Sequence, residues 1–293
     1  MPTTEQIITT DIRHQPNLSS LSLSYLYSGK RLLSLLLGSL FLSTISLSAT
    51  ASPLINSREY LNYELPKTVQ ERCIKRDNCP NIEVKYLKTN QDWINTITNA
   101  RINNLVINSK PSESAPVKST GNTKDDAKKV KAAIDAFTAA QFVELPDDSK
   151  ISYELMVKPD YIGHVNHFEL FKIDSYVFTG GAHGMPYSEY LIFDSMTKKQ
   201  VRLDDMLQAG KKPRFKALAY DAYKTWVKTV DKDVVNYEKN WPFILSDNIT
   251  LTDKGVDIQY QHYDIAPYAY GMPILSIPYS KLRSVIKPNF IPK

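Results

Sequence analysis

Residues 151–194 read ISYELMVKPDYIGHVNHFELFKIDSYVFTGGAHGMPYSEYLIFD. Three stretches inside it, Ile151–Lys158, His167–Phe178 and Ser188–Asp194, alternate apolar and polar side chains with a period of two. Successive side chains of a strand point to opposite faces, so this alternation marks strands that bury one face. Turn residues separate the three, and consecutive strands joined by short turns pair antiparallel. An antiparallel sheet is therefore expected at the centre of the fold.

On the N-terminal side, Ile82–Leu87 (IEVKYL) repeats the two-residue period. Trp93, Ile94, Ile97, Ala100, Arg101 and Leu105 then fall at helical spacing, with Asp92 placed to cap. A Ser/Pro/Lys/Gly-rich segment, 109–122, interrupts the pattern. Thr123 suits a helix cap, and Asp125 and Asp126 in the first turn favour the positive helix end. Ala127, Val130, Ile134, Phe137 and Ala140 form one apolar stripe, and Pro146 stops it.

On the C-terminal side, a second strong helix is expected over 213–229, with Phe215, Leu218, Ala219, Ala222 and Trp226 on one face. Ile249–Leu251 and Val256–Tyr260 read as a hairpin whose turn, Asp253-Lys254-Gly255, draws a positive φ from Gly255. Ser276–Pro278 reads as a short edge strand, because proline has no N–H to donate. The expected class is α+β, an antiparallel sheet with two main packing helices.

Lys30 and Arg31 precede an apolar–serine run, Leu32–Leu47 (LLSLLLGSLFLSTISL), and Ala49-Thr50-Ala51 follows. A basic end, a short apolar core and an A-x-A site are the parts of a secretory signal. Cleavage after Ala51 and a periplasmic or secreted location are expected; the alternative is retention as an N-terminal anchor. Residues 1–51 are thus assigned to the signal peptide (or anchor), 52–122 to an N-terminal subdomain and linker, and 123–293 to a C-terminal domain.

The chain carries 36 Lys and Arg against 31 Asp and Glu, a formal +5 without a dense basic run, so nucleic acid is not an expected partner. Two cysteines exclude an all-cysteine metal site. Cys73 and Cys79, flanking IKRDN, are most simply a disulfide outside the cytosol. No Walker loop, HExxH or GxSxG motif is present. No catalytic residue, metal or cofactor is expected.

Two stretches stand out as candidate binding elements. Thr179-Gly180-Gly181-Ala182-His183-Gly184 gathers three of the ten glycines directly after a strand. Such a loop admits positive φ, and its successive N–H groups can cradle an anion. His183 is open to three readings: structural turn, partner-binding loop, or base and metal ligand, the last lacking an evident partner set. His164 and His167 are three apart, but on a strand they point to opposite faces. The second stretch, Tyr260–Gly271, places Tyr263, Tyr268 and Tyr270 close to His262. Tyrosine offers rigid area plus a hydroxyl, so this is either a recognition surface or rings covering the sheet.

Taken together, these residues resemble the RsiV-like family of bacterial extracytoplasmic domains. The resemblance runs through Phe178–Gly184, Tyr190–Asp194, Thr197, Leu203-Asp204-Asp205, Tyr263–Gly271 (YDIAPYAYG) and Ile277–Ser280 (IPYS). It covers roughly residues 160–285, and Lys198-Lys199 replaces the family's usual glycine after the threonine. It implies an α+β domain, here 123–293, that binds rather than catalyses; the best understood members recognise lysozyme. Thr179, Gly180, Gly181, His183, Gly184, Tyr263, Tyr268 and Tyr270, from the two unusual stretches, are the expected binding residues; the resemblance assigns no individual lysozyme contact among them. The expected partner is lysozyme or a related wall hydrolase. A peptidoglycan or glycan ligand, and a membrane-anchored regulatory sensor, are the alternatives.

Overall fold

The structure, a computed structural model, describes residues 53–109 and 123–292. The expected signal, Leu32–Ala51, and nearly all of the 109–122 segment lie outside the described residues. Residues 52–293 form one compact unit. Among the described residues are nine strands and seven α-helices, an α+β fold. No described helix is long and apolar enough to cross a membrane.

A six-stranded sheet has the order β1 (Asn56–Tyr60), β2 (Asn81–Thr89), β3 (Glu154–Val165), β4 (Phe168–Phe178), β5 (Met185–Asp194) and β6 (Lys199–Val201). Its pairs are antiparallel except β2–β3, which is parallel and breaks the expected pattern. The reason is the connection: parallel neighbours need a long crossover. Here it contains α2 (Asp92–Ile107) and α3 (Thr123–Glu144). The sheet therefore runs across the division expected at residue 122.

Three long helices pack on the strands, where two were expected: α2, α3 and α5 (Lys212–Val230). In α2 the buried line is Ile94, Thr98, Ile102 and Val106, every fourth residue, rather than the stripe through Ala100 and Leu105. Asp92 does not cap it; Gln91 is the cap residue and makes no side-chain cap bond. Thr123 is the first residue of α3 rather than standing ahead of it.

The neighbouring row of α2 explains its rotation. The Asn95 amide accepts from Thr89 N–H (2.8 Å) and donates to Thr89 O (3.0 Å). Asn99 does the same for Leu87, at 2.9 and 3.0 Å, and Tyr86 Oη donates to Asn103. Odd-numbered residues of β2 face β3, as the bond from Asn81 N–H to Tyr153 O shows. Beyond Val84, where β3 pairing stops, the asparagine amides replace the missing strand.

The large sheet is buried on both faces. Leu155, Val157, Phe171, Ile173, Leu191 and Phe193 meet α2 and α3. Phe168, Leu170 and Ile192, one residue out of phase, meet α5 and a second sheet. That sheet has the order β7 (Ile249–Leu251), β8 (Gly255–Gln259), β9 (Ile274–Pro278), with β9 at an edge as expected. Gly255 does not take a positive φ. A Cβ there would lie 2.1 Å from the Ile277 carbonyl oxygen, so glycine is required by close approach of β9.

Short elements complete the chain: α1 (Lys67–Arg76), α4 (Leu203–Met206), α6 (Val234–Asn240) and α7 (Tyr279–Leu282). Cys73 and Cys79 form a disulfide with their Cα atoms 4.8 Å apart, closing the end of α1. Arg76 beside it pairs with Asp147 and lies over the Phe142 ring.

Candidate functional site

The loop after β4 and the segment after β8 are 80 residues apart in sequence and meet in space. Gly180 (φ 93°) and Gly181 (φ 86°) use the left-handed freedom expected of them and turn the chain toward β5. Gly184 is buried; a Cβ there would stand 2.4 Å from the Tyr176 ring, so only glycine lets the loop close over β4. His183 is thereby left exposed, its Nδ1 3.1 Å from Gly184 O.

Against His183 lies Tyr268, with ring centroids 3.7 Å apart and planes 16° from parallel. On the other face of Tyr268 lies His262, at 4.2 Å and 20°. The result is a three-layer stack, histidine–tyrosine–histidine. Tyr268 Oη donates to Gly184 O at 2.9 Å, so the stack is bonded to the loop it covers. Tyr263 reaches the same cluster, its Oη 3.4 Å from His183 Nε2, and it adopts φ 68°, a left-handed conformation unusual for a bulky residue.

Tyr263 and Tyr270 remain exposed at 47% and 45%, which leaves both rings free to cover a partner. Tyr270 sits on the short helical turn 268–270 but is outside the stack. Thr179 is half-buried at the start of the loop. His164 and His167 do not join. His164 lies on β3 opposite Glu169, with Tyr161 Oη 3.5 Å from its Nδ1. His167 stacks on Phe168 and has Nε2 3.6 Å from Asp194. No group of three or more His, Cys, Asp or Glu side chains suited to a metal occurs among the described residues.

Burial, and then the neighbouring His183 imidazole, push His262 below the ordinary imidazole range, against a hydrogen bond with the Tyr268 backbone. Its Nδ1 is buried without a protein partner. A buried unpaired ring nitrogen is better tolerated in the neutral form, so the stack favours uncharged His262.

A groove of about 640 Å³ continues from this surface along β5. Glu189, Asp204, Asp205, Asp247 and Asp264 line it against Arg101 and Arg202, giving it an acidic surplus. Burial raises the Glu189 carboxyl, with Arg101, 3.7 Å away, opposing the shift. Burial beside that carboxylate also lifts Tyr187 to about 12. Asp204 and Asp205 are both already engaged: Asp204 bonds Lys212 and Asp205 caps α4 through Arg202 N–H.

The groove and the stack share a support that sequence reading missed. Gln261 Oε1 accepts from Ser188 N–H (3.1 Å) and its Nε2 donates to Ser188 O (2.7 Å). Asn248 donates to that same carbonyl (2.7 Å) and accepts from Tyr190 N–H (2.7 Å). These amides hold the part of β5 that β6 does not pair, since β6 reaches only Ile192–Asp194. Gln261 adjoins His262 in the tyrosine-rich stretch; Asn248 sits in an irregular segment and carries no sequence signal. A more apolar cavity of about 650 Å³, beneath residues 61–65 between α2 and α3, includes none of the expected binding residues.

An α+β chain with two coupled sheets and a loop-built surface is the class these features define. Residues 192–280 match the family DUF3298, described as a protein of unknown function, so the chain carries a DUF3298 domain. It resembles a DUF3298 family protein from Pseudomonas aeruginosa PAO1 with 25% identity and a TM-score of 0.56, over 82% of this chain and 97% of that one. A DUF3298 family member from Bacteroides fragilis, 16% identical, shares the fold with a TM-score of 0.55 over 82% and 95%. No curated protein matches the chain.

Proposed function

We propose that this chain is an exported, non-catalytic binding protein of the bacterial cell envelope, with lysozyme or a related wall hydrolase as its ligand. The observation that carries this reading is the meeting of His183, Tyr263 and Tyr268, from two distant stretches, on one surface beside an acidic groove. The RsiV-like resemblance of those same stretches supplies the ligand class. Lysozyme is strongly cationic and this chain carries +5, so long-range attraction does not drive encounter. The groove carboxylates offer local complementarity instead, and exposed tyrosines supply the rigid contact area typical of interface anchors.

The test is calorimetric titration of residues 52–293 with a c-type lysozyme at low and moderate salt. Saturable one-to-one binding at about micromolar Kd or tighter supports the proposal. Folded protein that gives no heat at either salt removes it. Perturbation of tyrosine or tryptophan fluorescence by wall saccharides then favours the glycan reading. Mass analysis of the mature N-terminus tests export: cleavage after Ala51 supports it, and a retained segment points to the anchored sensor.

A further inference from the structure

Strand β9 has one partner, β8, and its other edge is open. The register settles which groups face outward. Tyr279 N–H donates to Lys254 O, and Tyr260 N–H donates to Pro273 O, so odd-numbered residues of β9 bond β8. Ile274 and Ser276 therefore turn their N–H and C=O groups away from the sheet, while Pro278 leads into α7. No described residue bonds the N–H of Ile274 or Ser276. Unpaired edge groups at two-residue spacing are a template for another strand.

This edge opens into a groove of about 340 Å³ whose opposite wall is α5. Leu218, Ala222 and Trp226, four residues apart, form that wall, while Ile274 is 43% exposed at one end. Lys281 stands at the Pro278 end without an ion pair within 4 Å among the described residues; Asp221, which lies in its field, is bonded by Lys224 at 2.8 Å. A slot between a free strand edge and a helix, with a spare cation at one end, matches an extended chain bearing a carboxylate there.

We propose that the β9–α5 groove binds an extended peptide segment as an added antiparallel strand, with an acidic side chain of the peptide opposite Lys281. Backbone bonds to Ile274 and Ser276 hold the strand, and Pro278, which lacks an N–H and caps α7 with its carbonyl, marks the end of the pairing. Alternate side chains of the peptide reach the α5 wall. The surface lies outside the histidine–tyrosine stack, so this inference stands independently of the lysozyme reading.

The experiment uses the intact isotope-labelled protein and a blocked peptide, acetyl-Asp-Val-Thr-Val-Thr-Val-amide. The expected result is saturable binding with amide exchange at Ile274 and Ser276 slowed by about tenfold or more. A copy of the peptide N-methylated at alternate residues loses binding, as do Ala222→Arg, which fills the groove, and Lys281→Glu, which reverses its charge. An amide spectrum and a urea midpoint matching the parent protein show that each variant is folded, whether or not lysozyme binds. Absence of binding, or binding that survives N-methylation and Lys281→Glu alike, overturns the proposal. A concentration-dependent dimer that protects the same two amides also overturns it, by giving the edge to a second copy of this chain.

Discussion

Two strand edges in this molecule are closed by the same chemistry over different reach. On β2, Asn95 and Asn99 satisfy Thr89 and Leu87, only 6 and 12 residues away. On β5, Asn248 and Gln261 satisfy Ser188 and Tyr190 from 58 to 73 residues away. The local closure fixes one helix on one strand. The distant one fastens the small sheet to the large sheet and positions the segment that supplies His262, Tyr263 and Tyr268. Identical amide bonds therefore serve local structure in one place and the candidate site in the other.

The strongest way to break this contrast is the pair Asn248→Leu with Gln261→Met. It orphans the N–H and carbonyl of Ser188 and the N–H of Tyr190, at about 1–3 kcal/mol for each buried group. The urea midpoint falls and, under the proposed lysozyme reading, affinity falls with it; full affinity in the folded variant contradicts the positioning role. Asn99→Leu is the local counterpart. It orphans the two polar groups of Leu87 at about 1–3 kcal/mol each, while lysozyme titration remains unchanged.

A covalent closure sharpens the local side. Replacing Cys73 and Cys79 by serine frees a short loop and lowers stability by about 2 kcal/mol on the chain-entropy view. Binding is unaffected, because the bridge sits beside α1 and Phe142. On the distant side, His262 has its folded pKa below the ordinary 6.5. The unfolded chain thus takes up the proton first, and the stability His262 contributes is complete above 6.5 and is lost as pH falls through its folded value. His262→Phe keeps a stacking ring and removes the proton site. The difference in urea midpoint between the two proteins should change below pH 6.5 and stay flat above it.

The smallest expected effect is a gain. Lys198 takes φ 55° in the β5–β6 turn, where the resembling family carries glycine nearby. Lys198→Gly relieves the left-handed strain and raises stability by about 0.5–1 kcal/mol, read as a higher urea midpoint.

Strands β3, β4 and β5 were legible because one-sided burial writes itself as a two-residue period. The same period understated the burial of Leu170-Phe171 and Leu191-Ile192-Phe193, which serve both faces at once. The parallel β2–β3 pair was illegible, since nothing in IEVKYL states which strand it will meet. In α2, apolar spacing alone misplaced the buried line, because the polar row Asn95, Asn99 and Asn103 decides the rotation. His183, Tyr263 and Tyr268 were each visible as unusual residues. Their stacking was not, because it joins stretches 80 residues apart, and the nearby Asn248 and Gln261 bond backbone groups on another strand.

The asparagine clamp on β2 has a consequence for how the chain acquires its shape during synthesis. Strand β2 ends at Thr89, and its parallel neighbour does not begin until Glu154. A chain made from its N-terminus exposes β2 for that whole interval, when an unpaired edge invites association with other nascent polypeptides. Helix α2 follows β2 after two residues and brings its amides with it, so Leu87 and Thr89, which no strand will pair on that edge, are closed by the next segment made, and only Asn81–Val84 waits for β3. The clamp thus shortens the edge that a later strand must cover to the four residues Asn81–Val84.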